Sequence, residues 1–253
     1  MEGISGHGLL ERLEALNGEI TIWAATLLAL PIAIYAGYIS SLYFWNRPFN
    51  RAEAIFAAAA AIVCFGYALF RFLGLLKKRR KTRSRYEGEV MVEQALSRLL
   101  LAGYQVFHGF KADGFAIDHV VVGEKGVFAL ETRTPSERLT RNRHQDATVE
   151  YDGRALHFPN GTDIDMIEQA KRRSMWLSSW LSEALGEEIM VRSVISLPGW
   201  VVRRTAAEGM PIVNPKQFDS LFKHIQPWPL TADMMGRIAH LMDQKCREQD
   251  ELA

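Results

Sequence analysis

Residues 20–46 form an apolar stretch without a single charged side chain. About 20 apolar residues suffice for a helix to cross the hydrocarbon core of a bilayer. Pro31 lies inside the stretch, and proline is tolerated in membrane helices although it kinks soluble ones. A second apolar stretch, residues 54–76, is interrupted only by Arg71, which lies near its end and can extend its charge to the interface. We therefore predict two transmembrane helices, about 20–44 and 53–76, joined as a hairpin.

Charges beside these stretches predict their orientation. Seven of the nine residues in 77–85 are basic, whereas the connection between the stretches carries only Arg47 and Arg51. Because basic residues next to a span favour the cytoplasmic side, residues 86–253 and both termini are expected in the cytoplasm. The alternative, a signal sequence and a soluble helix, requires a basic leader, but the charges of residues 1–19 are mainly acidic.

The charge balance also divides the chain into two parts. Residues 1–85 contain 11 Lys and Arg against 5 Asp and Glu, while residues 86–253 contain 19 against 24. We predict a membrane anchor over residues 1–85, whose basic end meets anionic lipid, and a cytoplasmic domain over 86–253. Contact of the basic run with nucleic acid is the alternative. Two cysteines, Cys64 and Cys246, indicate neither a disulfide framework nor a thiolate metal site.

The cytoplasmic part alternates between helical and strand patterns. The predicted elements are a helix over 87–104, strands at 105–110, 115–122 and 126–133, a hairpin turning at Asp152-Gly153, a helix over 163–185, strands at 189–197, 200–202 and 210–213, and helices at about 215–225 and 231–247. Residues 134–148 are polar and basic, so we predict an exposed loop there. This order indicates an α/β domain with a mixed sheet.

The segment "IDHVVVGEKGVFALETR", residues 117–133, carries two carboxylates inside an apolar hairpin. If residues 124–125 form the turn, Asp118 lies directly opposite Glu131, and like charges so placed repel. A divalent cation such as Mg²⁺, which binds carboxylate oxygens, removes that repulsion. Arg133 lies on the same face as Glu131. An ordinary charged surface is the less favoured alternative because the neighbouring residues of that face are apolar; a turn longer by one residue would separate the carboxylates.

Other side chains that attract attention have simpler interpretations. His119 points away from Asp118 in this register, so we expect a packed histidine rather than a ligand. Trp176 and Trp180 are four residues apart on one helix, and this spacing favours packing over base stacking. The sequence contains no glycine-rich phosphate-binding motif, so no nucleotide cofactor is expected.

Four segments together resemble the nuclease-related domain (NERD) family, a branch of the PD-(D/E)xK nuclease superfamily. They are "GE" followed by "VE" and leucine in the first helix, the hairpin "IDHVVVGEKGVFALETR", the helix segment "EQAKRRSMWL" and the segment "LPGWVV". The resemblance extends over residues 86–221. It implies a restriction-endonuclease-like α/β/α domain that hydrolyses phosphodiester bonds with a metal ion.

The resemblance assigns catalytic roles to five residues. Glu89 matches the acidic residue of the first helix, Asp118 the metal-binding aspartate and Glu131 the glutamate of the E-x-K element. Arg133 stands where that element has lysine, and Gln169 matches the glutamine of the following helix.

The implied cofactor is Mg²⁺ or Mn²⁺. Its expected ligands are Asp118, Glu131 and the backbone carbonyl of Thr132, with Glu89 binding directly or through water. Flanking phosphates are expected on basic residues of the loop and the helix, for which a solvated surface is the alternative. These residues are Arg138, Arg141, Arg143, Lys171, Arg172 and Arg173.

Arg133 leaves two functions open. Arginine stays protonated in proteins, so it keeps the charge of the lysine but cannot act as a general base. One function is a membrane-anchored, metal-dependent nuclease acting on cytoplasmic nucleic acid, with DNA favoured. The other is a catalytically weak or inactive module that binds nucleic acid or a protein partner at the membrane.

The two predicted spans and the resemblance together indicate a multi-pass protein of the bacterial inner membrane. Membrane lipid is therefore an expected partner. The small-residue run at 57–61 also permits close helix packing, which is compatible with a homo-oligomer formed through the spans.

Overall fold

The computed structural model describes residues 6–44, 50–112, 114–133 and 148–251. The chain forms two compact units, one of residues 4–86 and one from residue 87 onwards. Two long helices, α1 (Gly6–Phe44) and α2 (Arg51–Leu101), come first. Both are longer than the predicted spans. Helix α1 begins 14 residues before the predicted span at residue 20, and α2 continues through the basic segment into the amphipathic helix predicted at residue 87.

In the first unit, α1 and the apolar part of α2 are each long and apolar enough to cross a membrane. Large apolar side chains such as Ile22, Leu28 and Phe56 are exposed. Apolar surface of this extent requires lipid or another protein to cover it. Arg71, the charge inside the second apolar stretch, lies over the ring of Trp23 at 5.5 Å from its centroid. This contact gives the guanidinium an aromatic partner from α1.

The second unit is built around a five-stranded sheet. The first three strands, β1 (Gln105–Ala112), β2 (Phe115–Gly123) and β3 (Gly126–Thr132), are antiparallel neighbours. Two later strands, β7 (Val191–Ser196) and β9 (Ile212–Val213), extend the sheet beside β3 in parallel. The sheet is therefore mixed, as predicted.

Helices cover both faces of this sheet, because side chains of successive strand residues alternate between the faces. On one face, Val120 and its neighbours pack against α3 (Asp165–Leu185) and α5 (Ala232–Glu251). On the other face, Val121 and its neighbours pack against residues 87–101 of α2 and against α4 (Phe218–His224). This layered, mixed α/β arrangement confirms the predicted fold class. It also gives β2 and β3 a different helix partner on each face.

A second sheet distinguishes the structure from the single sheet predicted. It contains β4 (Thr148–Tyr151), β5 (Leu156–Phe158), β6 (Gly161–Asp163) and β8 (Val201–Arg204), in the order β6-β5-β4-β8. The hairpin that turns at Asp152-Gly153 is present between β4 and β5, as the local sequence predicts. The parallel pairing of β4 with β8 joins segments about 50 residues apart, and no local pattern indicates such a pairing.

Trp176 and Trp180 pack against the main core, as predicted. Their rings stack on each other, with centroids 6.2 Å apart, and both lie beside Phe110. Such packing orients α3 on the sheet and so positions the polar residues one to two turns earlier in the helix.

Candidate active site

The register of the β2–β3 hairpin is the one that the sequence predicted. Gly123 pairs with Gly126 across a turn of residues 124–125. Gly126 has φ of 124°, a conformation that glycine adopts without steric cost and that other residues rarely adopt. The turn therefore fixes the pairing as far as His119 and Leu130, and the next residues, Asp118 and Glu131, are close enough for the charge of Asp118 to act on Glu131.

Asp118 is held by the end of the neighbouring strand. Backbone pairing of β2 with β3 ends at His119 and Leu130. Beyond that point, the backbone N–H of Thr132 donates a hydrogen bond to Oδ2 of Asp118, with N···O of 2.8 Å. The carboxylate thus takes the place of a backbone acceptor where the two strands separate. This bond fixes Asp118 next to the residue that follows Glu131.

Glu131 is fully buried at the end of β3. Its Oε2 accepts a hydrogen bond from Nη2 of Arg133 at 2.9 Å and another from Nη1 of Arg173. Its Oε1 is also buried and has no hydrogen-bond partner among the described residues. A buried carboxylate oxygen without a partner is costly, because it has lost water and gained nothing in exchange. Glu131 therefore has an acceptor position that a further ligand can use.

Burial and mutual repulsion disfavour ionisation of both carboxyl groups. Burial, followed by the charge of Asp118, raises the pKa of Glu131 to about 7, although Arg133 and Arg173 oppose this rise. Burial likewise raises the pKa of Asp118, against the opposing effects of the Thr132 N–H and the two arginines. Positive charge placed between two such carboxyls favours their ionised forms.

Helix α3 contributes two side chains to this cluster. Gln169 and Arg173 are four residues apart, so they lie on the same face of the helix. Oε1 of Gln169 accepts a long hydrogen bond from Nη2 of Arg133 at 3.4 Å. The guanidinium of Arg173 lies over the ring of Phe115 at 5.7 Å while it donates to Glu131. Arg133 and Arg173 are each about one-fifth exposed, so both reach solvent from a mostly buried position.

Arg173 therefore differs from the basic residues with which the sequence grouped it. It is paired with Glu131 inside the cluster, whereas Lys171 and Arg172 are exposed on the surface of α3. Arg172 lies 4.0 Å from Glu168, one turn earlier. The spacing of Arg173 from Gln169 is the sequence signal that indicates its position in the site.

The remaining predicted site residues lie in three places. Glu89 is partly buried on α2, within the second unit. Thr132 is the last residue of β3. The loop arginines Arg138, Arg141 and Arg143 lie outside the described residues.

The residues present fit a divalent cation. Two carboxyl groups from adjacent strands meet at one end of the hairpin, and oxygen donors of this type suit Mg²⁺ and Mn²⁺. Oε1 of Glu131, which makes no hydrogen bond to the residues that the structure describes, is an available donor atom among them. Two guanidinium groups, of Arg133 and Arg173, already place positive charge beside these carboxyls.

A mixed α/β domain with paired carboxylates and arginines at one end of its sheet is an arrangement with the donor groups that a metal ion and a phosphate require. A family model described as nuclease-related domain matches residues 84–198. This match agrees with the resemblance noted in the sequence, and the matched segment includes Glu89, Asp118, Glu131, Arg133, Gln169 and Arg173. Comparisons with curated proteins and with solved structures gave no match.

Proposed function

We propose that the chain is a membrane-anchored nuclease that hydrolyses phosphodiester bonds in cytoplasmic nucleic acid, with DNA favoured over RNA, using Mg²⁺ or Mn²⁺. The observation that carries this proposal is the cluster at the end of the hairpin. Two carboxyl groups with raised pKa values lie there beside two arginines, and Oε1 of Glu131 has no hydrogen-bond partner in the part of the chain that the structure describes. Burial still disfavours the ionised carboxyls despite the two arginines, so a cation is favourable there, and the site reaches solvent through these arginines.

Asp118 and Glu131 are the proposed side-chain ligands, joined by the backbone carbonyl of Thr132. When bound, the divalent cation would polarise the scissile phosphate and lower the pKa of a water molecule. The hydrogen bond from Thr132 N–H to Asp118 holds one carboxylate against rotation, so this ligand is positioned before the ion arrives. Glu89 completes the acidic set directly or through water.

Arg133 and Arg173 have the proposed task of binding the phosphate. Both guanidinium groups are charged at any physiological pH and carry several donors, which suits a phosphate that gains negative charge during in-line attack by water. Gln169, which now accepts from Arg133, is placed to orient this guanidinium or the attacking water. Neither arginine can accept the proton of that water, so the proton must pass to a carboxylate of the site, to solvent or to the substrate.

The two apolar helices support a membrane anchor for this domain. Residues 77–85, with seven basic side chains, place the domain on the cytoplasmic side if the helices span the membrane. The same basic residues favour contact with anionic lipid, and the alanines at 57–61 permit association of two chains. We propose a multi-pass protein of a bacterial inner membrane, with both termini in the cytoplasm.

A module that binds nucleic acid without cutting it is the second candidate. Arg133 in the lysine position of the E-x-K element favours it, because the cluster then lacks a side chain that can exchange a proton there. Glu131 is also already neutralised by two arginines.

The experiment that decides between these functions uses the full chain in detergent or nanodiscs. Supercoiled, linear and single-stranded DNA, and RNA, are incubated with Mg²⁺, Mn²⁺ or EDTA. Cleavage that requires metal supports the nuclease, and the preferred substrate defines its class. Saturable binding of DNA without cleavage in any metal would overturn the nuclease in favour of the binding module.

Metal affinity should depend on pH because the cation must displace the proton of Glu131. With a pKa of about 7, this group is mostly protonated at pH 6 and mostly ionised at pH 8. We expect Mn²⁺ to bind about tenfold more weakly at pH 6 than at pH 8, since binding to a carboxylate releases a proton. The measurement is the Mn²⁺-dependent rise in Tm of the full chain at both pH values.

For the metal-free protein, the contribution of Glu131 to the free energy of unfolding should fall as the pH rises, whereas metal affinity rises. A pKa raised above its ordinary 4.5 means that the folded state binds the additional proton, so this stabilisation is complete below about pH 4.5 and lost as pH rises through 7. His119 has the opposite pH dependence. Burial and the charge of His108 lower its pKa to about 3, so its contribution to stability is complete above pH 6.5 and is lost as the pH falls below that value. Subtracting the profile of Glu131→Gln isolates the carboxyl; an unchanged profile in that variant would contradict the assignment.

A further inference from the structure

Three potential metal ligands meet on the opposite face of the hairpin from Asp118. They are Glu93 of α2, His108 of β1 and His119 of β2, and each offers one ligand atom within 4.8 Å of the other two. His108 and His119 are directly paired residues of adjacent antiparallel strands. Their Nδ1 atoms are 3.0 Å apart, and Nδ1 of His108 is 3.5 Å from Oε1 of Glu93.

These distances match the spacing of ligands around one small cation. A tetrahedral Zn²⁺ with bonds of about 2.0–2.1 Å holds its ligand atoms roughly 3.3–3.4 Å apart. The observed separations of 3.0 and 3.5 Å lie on either side of that value. Two imidazoles and a carboxylate, with one position left for water, form a common zinc ligand set. Direct contact of two Nδ1 atoms otherwise requires one ring to donate and the other to accept.

We propose that Glu93, His108 and His119 bind a transition-metal ion, with Zn²⁺ as the best match. Imidazole nitrogen is a poor ligand for Mg²⁺ and a good one for Zn²⁺, so this site and the carboxylate site select different ions. Strand alternation separates them, because successive residues Asp118 and His119 point to opposite faces of the sheet. Glu93 and His108 are each about half exposed, so an ion can reach the site from solvent.

The site ties a helix to the sheet. Glu93 lies one turn after Glu89 on α2, so both project from the same side of that helix. An ion that joins Glu93 to the histidines of β1 and β2 holds residues 87–101 of α2 against the strand that carries Asp118. Zinc at this position is a structural clamp on the helix that supplies Glu89, and it is separate from the ion proposed for hydrolysis.

The test is zinc binding by the full chain in detergent, measured by competition with a chromogenic chelator. We expect one Zn²⁺ per chain, and at least about tenfold weaker binding in His108→Gln and in Glu93→Gln, since even outer-shell losses cost that much. His240→Gln, which changes an exposed histidine of α5, is the matched control and should bind like wild type. Co²⁺ should give the intense visible bands of a tetrahedral site in wild type but not in His108→Gln.

The variant Glu131→Gln tests the zinc site independently of the proposed nuclease activity, because Glu131 belongs to the carboxylate site and not to the zinc site. That variant should keep its zinc site and the zinc-dependent rise in Tm, whether or not the chain cuts nucleic acid. Loss of zinc binding in Glu131→Gln with retention in His108→Gln would assign the ion to the carboxylate site and overturn the proposal. So would the absence of saturable zinc binding by wild type, or equal binding by wild type, His108→Gln and Glu93→Gln.

Discussion

Replacing Glu131 by glutamine should strongly slow metal-dependent cleavage while leaving the domain folded. Glutamine has nearly the same shape, and its amide oxygen can still accept from Arg133 or Arg173, so the buried position stays filled. It carries no charge, however, and loses the anionic oxygen that the cation needs. Metal polarisation of a phosphate contributes several kcal/mol, so we expect the cleavage rate to fall by roughly 10²- to 10³-fold. The measurement is the initial rate on the preferred DNA substrate in Mn²⁺.

Glu150→Gln is the matched control for this experiment. Glu150 is also a strand glutamate beside an arginine, with Oε1 3.6 Å from Nη1 of Arg203, but the pair is exposed. Exposed pairs contribute about 0–1 kcal/mol, so its removal should leave both the rate and Tm close to wild type. A Glu131→Gln variant that cuts at the wild-type rate would show that the reaction does not pass through this cluster.

The hairpin could be predicted from the sequence because its information is local. Two glycines around a two-residue turn determine the register, and the register determines which residues share a face. The structure has the pairing of Gly123 with Gly126 and keeps that register as far as His119 and Leu130, one residue before Asp118 and Glu131. The long helix α3 could be predicted equally well, since its apolar spacing extends over about six turns.

The contacts between distant segments were not predictable in the same way. Arg173 reaches Glu131 because α3 packs across the sheet, and only its spacing from Gln169 indicates this role. Its charge alone groups Arg173 with Lys171 and Arg172, which are exposed, and does not indicate that Arg173 pairs with a buried carboxylate. The pairing of β4 with β8 was missed for the same reason, since a parallel partner is specified by packing rather than by a turn.

His119 illustrates a further limit of local patterns. The sequence correctly indicates that it points away from Asp118, but β2 alone does not show what it meets. His108 comes from the adjacent strand and Glu93 from α2, so the cluster exists only after both elements pack on β2. The spacing of Glu89 and Glu93 was visible in the sequence, but without the strands it does not distinguish a ligand from a solvated glutamate.

The second large effect is expected at Arg133. Its guanidinium donates to Glu131 and Gln169, so Arg133→Ala should remove positive charge from the phosphate position and slow cleavage by about 10²-fold, the cost of one preorganised donor. Arg173 still pairs with Glu131 in that variant, so the domain should fold. Both effects are measured as single-turnover rates and as Tm.

Arg133→Lys should act in the opposite direction. Lysine restores the E-x-K element and keeps a positive charge, but unlike arginine its amine can lose a proton when desolvated. Proton transfer by a positioned side chain contributes about 10²- to 10⁴-fold, and we expect a gain of about tenfold or more because the lysine must also stay partly charged. Arg203→Lys, at an exposed arginine, should change nothing. An Arg133→Lys variant slower than wild type would instead show that this site works through the guanidinium whose Nη2 donates to both Glu131 and Gln169. The contribution of Arg133 to catalysis would then rest on its charge and position alone, and the proton would have to pass to another group.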